Sequence, residues 1–432
     1  MRSSAPSRGL TQVDAFFVAY QERMGILMQM GAEIELRGTL QLGDLTQIVE
    51  RLVTRWPQLG QRIRRRLFGL EWSGEPAVGR MVSQGADRRE IVAWRDTPID
   101  PFTAPPFQVL FVPGRSHTDL AFRAHHAVVD GESFSYLSAE ALLALAAVRG
   151  GGHSGPWPDA LSHRIGWRSI SHVSRQLRWP RRDVRVAPSA RLWVHAASAG
   201  GIRVVERAVT GEDFDAVKTR SARSRTALPW ICAAAWVRAI HRWNRAHGES
   251  LEPRISLEVP VSLRRHRQRG YAVGNYLSPL VVLGDAVQPL EVIADSLWRQ
   301  LRSAVRHGVH LRMPILTAPA RHLPWGLFRR WAINTATTGV ATSHFTWLPQ
   351  PDLAEEVRER SRGALELERQ QIYTPVCLHM GATLCVVAWH DRLQLLVSHR
   401  ETAVRSDEAE TLGDLLAAEL AGSIVRQPVG VS

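Results

Sequence analysis

The chain has 432 residues, of which 45% are hydrophobic and 22% charged, the composition of an ordinary globular protein. This excludes a collagen-like chain, a continuous coiled coil and wholesale disorder, and the length favours two or three domains. The net charge of +13 comes almost entirely from arginine. Such a balance indicates either an acidic partner, such as nucleic acid, anionic lipid or a phosphorylated small molecule, or a solvated arginine surface.

Hydrophobic periodicity predicts a mixture of strands and helices in the first part of the chain. Residues 32–36 alternate like a strand. An amphipathic helix follows, with Asp44 as its expected N-cap and Pro57 at its end. The next predicted elements are two buried strands, 107–112 and 120–124, and an alanine-rich helix, 133–148.

The composition shifts between Gly150 and Gly201, where a glycine- and proline-rich loop precedes a basic segment. We interpret this segment as a connection, which divides the chain into an N-terminal domain (1–150), a basic connection (151–201) and a C-terminal domain (202–432). The strands predicted in the C-terminal domain are 202–209, 255–261, 277–283, 383–389 and 392–398, the last two forming a hairpin around His390 and Asp391. The predicted helices begin at Gly211 and cover 227–243, 289–307 and 407–420, the last with Glu410 completing a capping box.

The cysteines are too few for a disulfide framework, and Cys232, Cys377 and Cys385 lie in apolar or strand-like stretches. This placement favours buried thiols in a reducing compartment, and no spacing matches a zinc site. The N-terminal segment lacks the apolar core of a signal peptide, and no run reaches the roughly 18 apolar residues of a membrane span. We therefore expect a cytoplasmic protein, with peripheral membrane contact left open.

The residues with the clearest chemical potential follow the predicted strand 120–124. His125 and His126 are adjacent, and Asp130 and Gly131 come shortly after them. A strand places neighbouring side chains on opposite faces, so one histidine would face a cleft, where an imidazole with a pKa near about 6.5 suits a general base. The aspartate would orient this histidine or anchor the loop through an arginine. A surface cluster and part of a metal site are the alternatives, but no third ligand has metal-site spacing.

This pattern resembles the HHxxxDG signature of the chloramphenicol acetyltransferase-like superfamily. The superfamily includes peptide-synthetase condensation domains, wax ester synthase/diacylglycerol acyltransferases and polyketide-associated acyltransferases. Residues 14–17 and 57–59 are similar to the family's opening segment, and residues 259–264 and 274–275 to a second-domain segment of the wax ester branch. The resemblance implies an α/β fold of two chloramphenicol acetyltransferase-like domains, arranged as a V-shaped pseudo-dimer with an interdomain tunnel.

The resemblance also implies roles for individual residues. His126 would be the general base that takes a proton from the acceptor and returns it to the departing thiolate. His125 would be a packing residue. Asp130 would be structural and would pair with Arg264, in a bidentate contact, rather than with His126. Gly131 would keep the tunnel clear of side chains.

Two segments depart from the family pattern. The DFGWG segment of the plant branch is absent, and the late Ser-Asn pair of the wax ester branch is replaced by Ser343 and His344. Ser343, His344 and Asn275 are therefore our candidates for residues that line the tunnel. His344 would supply a polar contact there, or it would be a strand histidine with a local partner.

Arginines gather in residues 164–182 and again in residues 298–331, in both cases together with tryptophan. Such segments can lie on an anionic membrane, dock an acidic carrier protein or contact the phosphates of coenzyme A. A solvated helix face is the alternative. Nucleic-acid binding is not expected, because no recognition motif accompanies the charge.

The sequence thus predicts an acyltransferase without a bound cofactor or metal. It would move an acyl group from acyl-CoA, or from the phosphopantetheine thioester of an acyl carrier, to an alcohol or amine. Two alternatives remain. One is a stand-alone condensation-type enzyme that forms amides from carrier-bound donors. The other is a catalytically silent scaffold of the same fold that binds a carrier or a membrane.

Overall fold

The computed structural model describes residues 9–152, 189–195, 199–248, 252–264, 272–337, 341–349 and 353–422. In these ranges the α-helices are α1 (Gln12–Met24), α2 (Leu42–Arg55), α3 (Arg89–Asp96), α4 (Gly131–Arg149), α5 (Gly211–Ser224), α6 (Leu228–Ala246), α7 (Leu290–Arg306), α8 (Arg312–Thr317), α9 (Trp325–Thr337), α10 (Leu353–Arg360) and α11 (Ser406–Ala421). The strands are β1 (Gln29–Arg37), β2 (Arg62–Arg65), β3 (Leu70–Ser73), β4 (Val82–Gln84), β5 (Phe107–Pro113), β6 (His117–His125), β7 (Ile202–Thr210), β8 (Arg254–Ser262), β9 (Leu277–Asp285), β10 (Ser343–Pro349), β11 (Glu366–Tyr373), β12 (Ala382–Ala388) and β13 (Arg392–Arg400).

Two mixed sheets organise the described part of the chain. The first has the strand order β11-β1-β6-β5-β4, and the second has the order β7-β13-β12-β10-β8-β9. Most neighbours are antiparallel, but β10 runs parallel to both β12 and β8. Strands β2 and β3 form a separate hairpin. The predicted α/β fold class is confirmed.

Each sheet has its own hydrophobic core. The apolar faces of α2 and α4 pack on the first sheet, where Leu45, Leu52 and Phe134 are buried. The second core lies around α6, whose Trp236 is fully buried, and it includes residues of α7 and α11. Burial of one apolar helix face against a sheet is the arrangement that the helical periodicity predicted.

One strand from late in the chain completes the first sheet. Strand β11 pairs antiparallel with β1, from Gly31 opposite Tyr373 to Arg37 opposite Glu366. Helix α10, which precedes β11, packs on α4. The segment 353–373 therefore lies within the predicted C-terminal domain (202–432) in sequence but contributes to the sheet of the first half in space.

The predicted strands and helices occur with small changes at their ends, and β12 and β13 form the predicted antiparallel hairpin. Two caps differ from the prediction. Asp44 lies inside the first turn of α2, whose N-cap is Gln41. The backbone N–H at the start of α11 is bonded by Glu408 and not by Glu410: Arg405 N–H donates to Glu408 Oε2 at 3.0 Å. Helix α11 begins at Ser406, and this start places Glu408 within reach.

The predicted basic segment 164–182 lies outside the described residues. In the second basic stretch, the rings of Trp325, Phe328 and Trp331 pack against the first core, whereas Trp298 is exposed. Phe328 is buried and stacks on Trp325, which also contacts Phe102 edge to face. In the ranges that the structure describes, no helix is both long enough and apolar enough to cross a bilayer.

Candidate active site

His126 follows directly after β6, at the junction of the two halves. Its backbone N–H donates to the carbonyl of Met28 at 2.7 Å, which extends the β1–β6 pairing by one residue. The ring stacks on Phe17 of α1, with a centroid separation of 3.8 Å and an interplanar angle of 15°. The side chain stays partly exposed. His126 is therefore held by the backbone and by one face of its ring, while its edge remains available.

Asn275 fixes the tautomer of His126. Its Nδ2 donates to Asp14 Oδ1 at 2.9 Å and to the His126 carbonyl at 2.6 Å. Both partners are acceptors, so the amide nitrogen must face them and Oδ1 must face His126 Nδ1, at 3.2 Å. Oδ1 can only accept, so Nδ1 carries the proton. The lone pair of His126 is then on Nε2, the atom that a general base uses.

Asp14 anchors this arrangement from α1. Its Oδ2 accepts from the Thr11 N–H at 2.8 Å and its N–H donates to Thr11 Oγ1 at 3.1 Å, which closes a capping box at the start of the helix. Burial raises the pKa of Asp14 to about 6, although the hydrogen bonds from Asn275 and Thr11 oppose this shift. The amide of Asn275, which orients His126, is thus hydrogen-bonded to the titratable carboxyl group of Asp14.

The two histidines have different environments. Burial lowers the pKa of His126 to about 4 and that of His125 to about 3, so both are neutral near pH 7. His125 is completely buried, and its Nδ1 accepts from the Ala127 N–H at 3.0 Å. Its position fits the packing role that the motif implied. His126 is the one that keeps a partly exposed edge.

Asp130 and Arg264 join the halves beside the histidine. Nη1 and Nη2 of Arg264 each donate to one carboxylate oxygen of Asp130, at 2.8 Å, and both side chains are buried. Asp130 also accepts from the N–H groups of Ser133 and Tyr276, each at 2.8 Å. The carboxylate thus caps α4 and bridges to the second half, away from His126.

Gly131 is the first residue of α4. A Cβ built there would meet only the Leu348 side chain, at 4.0 Å. A side chain at this position would therefore extend into open space near the junction. That Gly131 keeps a tunnel clear of side chains stays a prediction.

Of the two candidates on β10, only His344 is partly exposed. Ser343 is fully buried: its hydroxyl accepts from the Trp236 indole at 3.0 Å and donates to the Ala382 carbonyl at 2.7 Å. The prediction that Ser343 lines the tunnel is wrong, because adjacent strand residues face opposite sides and this one faces the core. His344 has a local partner, with Nδ1 3.5 Å from Glu258 Oε1 on β8.

A cavity of about 1050 Å³ lies along the same helix that carries Phe17. Val18 and Gln21 of α1 and Leu27 form part of its wall, and Arg64 and Arg65 of β2 lie at its side. Gln21 also accepts from the Met28 N–H at 3.0 Å. The cavity wall and His126 are thus attached to the same short segment.

Some of these residues were not predicted from the sequence. Asp14 and Phe17 were noticed only as part of a family segment, and the Thr11–Asp14 spacing signals a helix start and not a site. Glu258 carried a clearer signal, since it is a carboxylate within an apolar strand. In the described part of the chain, no group of three histidine, cysteine or acidic residues is arranged to hold a metal ion.

No protein-family profile matches the chain, and no curated protein is similar enough in sequence to match. Solved structures are similar in fold. The starter condensation domain of rhizomide synthetase, in a substituted form in complex with C8-CoA, has a TM-score of 0.70 at 13% identity over 96% of this chain and 94% of that one. Polyketide synthase associated protein 5 from Mycobacterium tuberculosis has a TM-score of 0.66 at 16% identity, over 96% and 100% of the two chains.

The epimerization domain from the third module of tyrocidine synthetase B has a TM-score of 0.70 at 14% identity, over 98% of both chains. These neighbours share the fold of this chain over nearly its whole length, and they confirm the fold that the HHxxxDG resemblance implied. At such identities the likeness establishes the architecture, and the chemistry must be argued from the site itself.

Proposed function

We propose that this protein is an acyltransferase that moves an acyl group from a thioester to an alcohol or amine, with His126 as the general base. The observation that carries the proposal is the orientation of Asn275, which leaves Nε2 of His126 unprotonated at a partly exposed position. Burial lowers the pKa of His126 to about 4, so the imidazole is neutral near pH 7 and carries a lone pair on Nε2.

The reaction follows from this geometry. His126 Nε2 takes the proton of the acceptor O–H or N–H as the acceptor attacks the thioester carbonyl. The tetrahedral intermediate collapses, the carbon–sulfur bond breaks, and the imidazolium returns the proton to the thiolate. While the ring is charged, the Asn275 carbonyl stabilises its Nδ1–H, and Phe17 keeps the ring from rotating.

The donor is proposed to be acyl-CoA or an acyl chain on a carrier's phosphopantetheine. The cavity beside α1 has room for such an arm, and its wall is of mixed charge, because Arg64 and Arg65 lie there together with Glu22, Asp96 and Asp100. A neighbour of the same fold was solved with C8-CoA, which supports a thioester donor. The overall charge of +13 would also favour an acidic carrier protein over a neutral partner.

The test compares His126→Ala with His117→Ala. His117 is an exposed histidine at the start of β6, the strand that ends just before His126. Each purified protein is incubated with octanoyl-CoA or octanoyl carrier protein and with a mixed panel of amines and alcohols, and the products are measured by mass spectrometry. We expect product with the wild type and with His117→Ala, and a loss of about a hundredfold or more with His126→Ala.

Unchanged melting temperatures would show that the loss is chemical and not a folding defect. Near-full activity of His126→Ala would overturn the proposal. Binding of carrier or CoA by the wild type, with no product from any acceptor and no hydrolysis, would support the silent scaffold instead.

A further inference from the structure

Glu258 and His344 form a polar pair on the second sheet. Strands β8 and β10 are parallel neighbours, and Glu258 lies directly opposite His344 in their register. Nδ1 of His344 is 3.5 Å from Glu258 Oε1, and the two side chains are 24% and 32% exposed. The neighbouring residues Leu257 and Ser343, which face the other way, are completely buried. Glu258 and His344 thus lie on the face of the second sheet opposite to the one that packs against the hydrophobic core.

Glu258 carries a negative charge at neutral pH. Burial would raise the pKa of its carboxyl group, but the hydrogen bond with His344 and the charges of His344, His379 and His126 bring it below its ordinary value. Burial also lowers the pKa of His379 and of His126. Near pH 7 these two imidazoles are therefore neutral, and His344 is the group that lies beside the carboxylate.

The carboxylate and the proposed base are electrostatically coupled. The charge of His126 lowers the pKa of Glu258, and the charge of His344 lowers that of His126, so the three groups lie within one another's electrostatic reach. Attack on a thioester builds negative charge on the carbonyl oxygen. A fixed anion nearby opposes this change unless a cation comes in with the substrate.

An ammonium group has the complementary chemistry. It is a compact cation with three donors, it can bond both Glu258 oxygens, and it satisfies a partly buried carboxylate better than a hydroxyl group does. We infer that Glu258 and His344 form the subsite for the protonated amino group of the acceptor, so that the acceptor is a primary amine and the product an amide. This inference rests on the proposed acyl transfer.

The proton balance is complete for this reaction. The ammonium group first gives one proton to the Glu258–His344 pair and becomes a neutral amine; the pair holds this proton until the thiol has formed and then releases it to water. The amine nitrogen attacks the thioester carbon and forms the C–N bond. His126 takes a second proton from nitrogen, the C–S bond breaks, and the imidazolium protonates the thiolate. One amide and one thiol are formed from one amine and one thioester.

The substitution Glu258→Gln removes the charge and keeps an oxygen that can accept from His344. Glu366→Gln is the matched control, because Glu366 is an exposed glutamate that pairs with Arg37 at the edge of the first sheet. With octanoyl-CoA as donor, kcat/KM is measured for hexylamine and for 1-hexanol, which differ only in the nucleophile. Hydrolysis of octanoyl-CoA in the absence of either acceptor is measured beside them.

We expect the wild type and Glu366→Gln to use hexylamine at least about tenfold better than 1-hexanol. Glu258→Gln should lower the ratio of kcat/KM for hexylamine to kcat/KM for 1-hexanol by about tenfold or more. Equal losses for both acceptors, or a wild-type preference for 1-hexanol, would overturn the inference.

Binding separates this inference from the proposed function. Hexylammonium is titrated calorimetrically, without donor, into the wild type, Glu258→Gln and His126→Ala. Binding that weakens in Glu258→Gln and persists in His126→Ala supports the subsite, even if turnover is never found and the acyltransferase proposal fails. Equal binding to the wild type and Glu258→Gln, or none to either, would sink the subsite whatever the activity.

Discussion

Asp130 and Arg264 form a buried bidentate ion pair that connects the two halves of the protein, with both nitrogen–oxygen distances at 2.8 Å. The carboxylate also caps α4 and accepts from the Tyr276 backbone. Each carboxylate oxygen of Asp130 therefore accepts from Arg264 and from one backbone N–H. Oδ1 accepts from Ser133, and Oδ2 accepts from Tyr276. The pair holds the loop after His126 without contacting the histidine ring.

Removing one partner of this pair should be costly. We expect Arg264→Ala to lower the free energy of unfolding by about 3–5 kcal/mol, because it leaves a buried carboxylate without its cation. The double variant Asp130→Ala/Arg264→Ala should lose clearly less than the sum of the two single variants. Chemical denaturation of the four proteins measures this coupling, and strictly additive losses would contradict it.

Asn275 should be required for catalysis more than for stability. Replacing it with alanine frees Nδ1 of His126 and allows the wrong tautomer, so kcat should fall by about tenfold to a thousandfold with little change in KM. The exposed Asn334 provides a control, since Asn334→Ala should leave the rate unchanged. An Asn275→Ala enzyme with a normal kcat would show that the tautomer is set in another way.

Much of the immediate surroundings of His126 was predictable from the sequence, because the HHxxxDG spacing is local. Two kinds of signal were enough. The hydrophobic pattern predicted the strand that ends at His125 and the helix that begins at Gly131, and the resemblance implied the Asp130–Arg264 pair. The strand and the helix are specified by neighbouring residues, whereas Asp130 and Arg264 lie 134 residues apart and their pairing was expected from the resemblance alone.

Other features depended on contacts between distant segments. Nothing in residues 366–373 indicates that this strand joins the first sheet, since its pairing with β1 is decided by tertiary packing. The link from Asp14 through Asn275 to His126 spans most of the chain. Ser343 was misassigned because the sequence alone does not say which face of β10 is covered.

The pH dependence of the rate should report Asp14. Its ionised carboxylate is the stronger acceptor for Asn275, so kcat/KM should rise as the pH increases through about 6. As the pH decreases further, kcat/KM should fall a second time near pH 4, where His126 becomes protonated. In Asp14→Asn the limb near pH 6 should disappear. The exposed Asp87 serves as control, and a limb that persists in Asp14→Asn would contradict the assignment.

Asp14 should also affect stability with a defined sign. Its native pKa of about 6 exceeds the ordinary pKa of 3.8 for an aspartate, so the native state binds the proton more tightly than the unfolded chain. Its contribution to stability is therefore full at low pH and is lost as the pH rises through about 6. We expect Asp14→Asn to compare more favourably with the wild type at pH 8 than at pH 4. Melting curves at both values test this, and a reversed order would contradict it.

The completion of the first sheet by β11 makes a prediction about fragments. Residues 1–152 alone would expose the edge of β1 that pairs with β11 and the face of α4 that packs on α10. Unpaired strand edges and uncovered apolar faces promote association. We expect this fragment to aggregate or to unfold without cooperativity, as measured by light scattering and by thermal denaturation.

A rescue experiment is available in the same system. A fusion of residues 1–152 through a glycine-serine linker to residues 353–376 restores both the missing strand and the missing helix. This fusion should be more soluble than the fragment and should show a cooperative transition, because β1 regains a partner along seven of its residues, between Gly31 and Arg37. A fusion carrying residues 202–225, which form β7 and α5 of the other sheet, controls for added length. If the fragment alone is a stable monomer, the first half is an independent domain and β11 is dispensable for its fold.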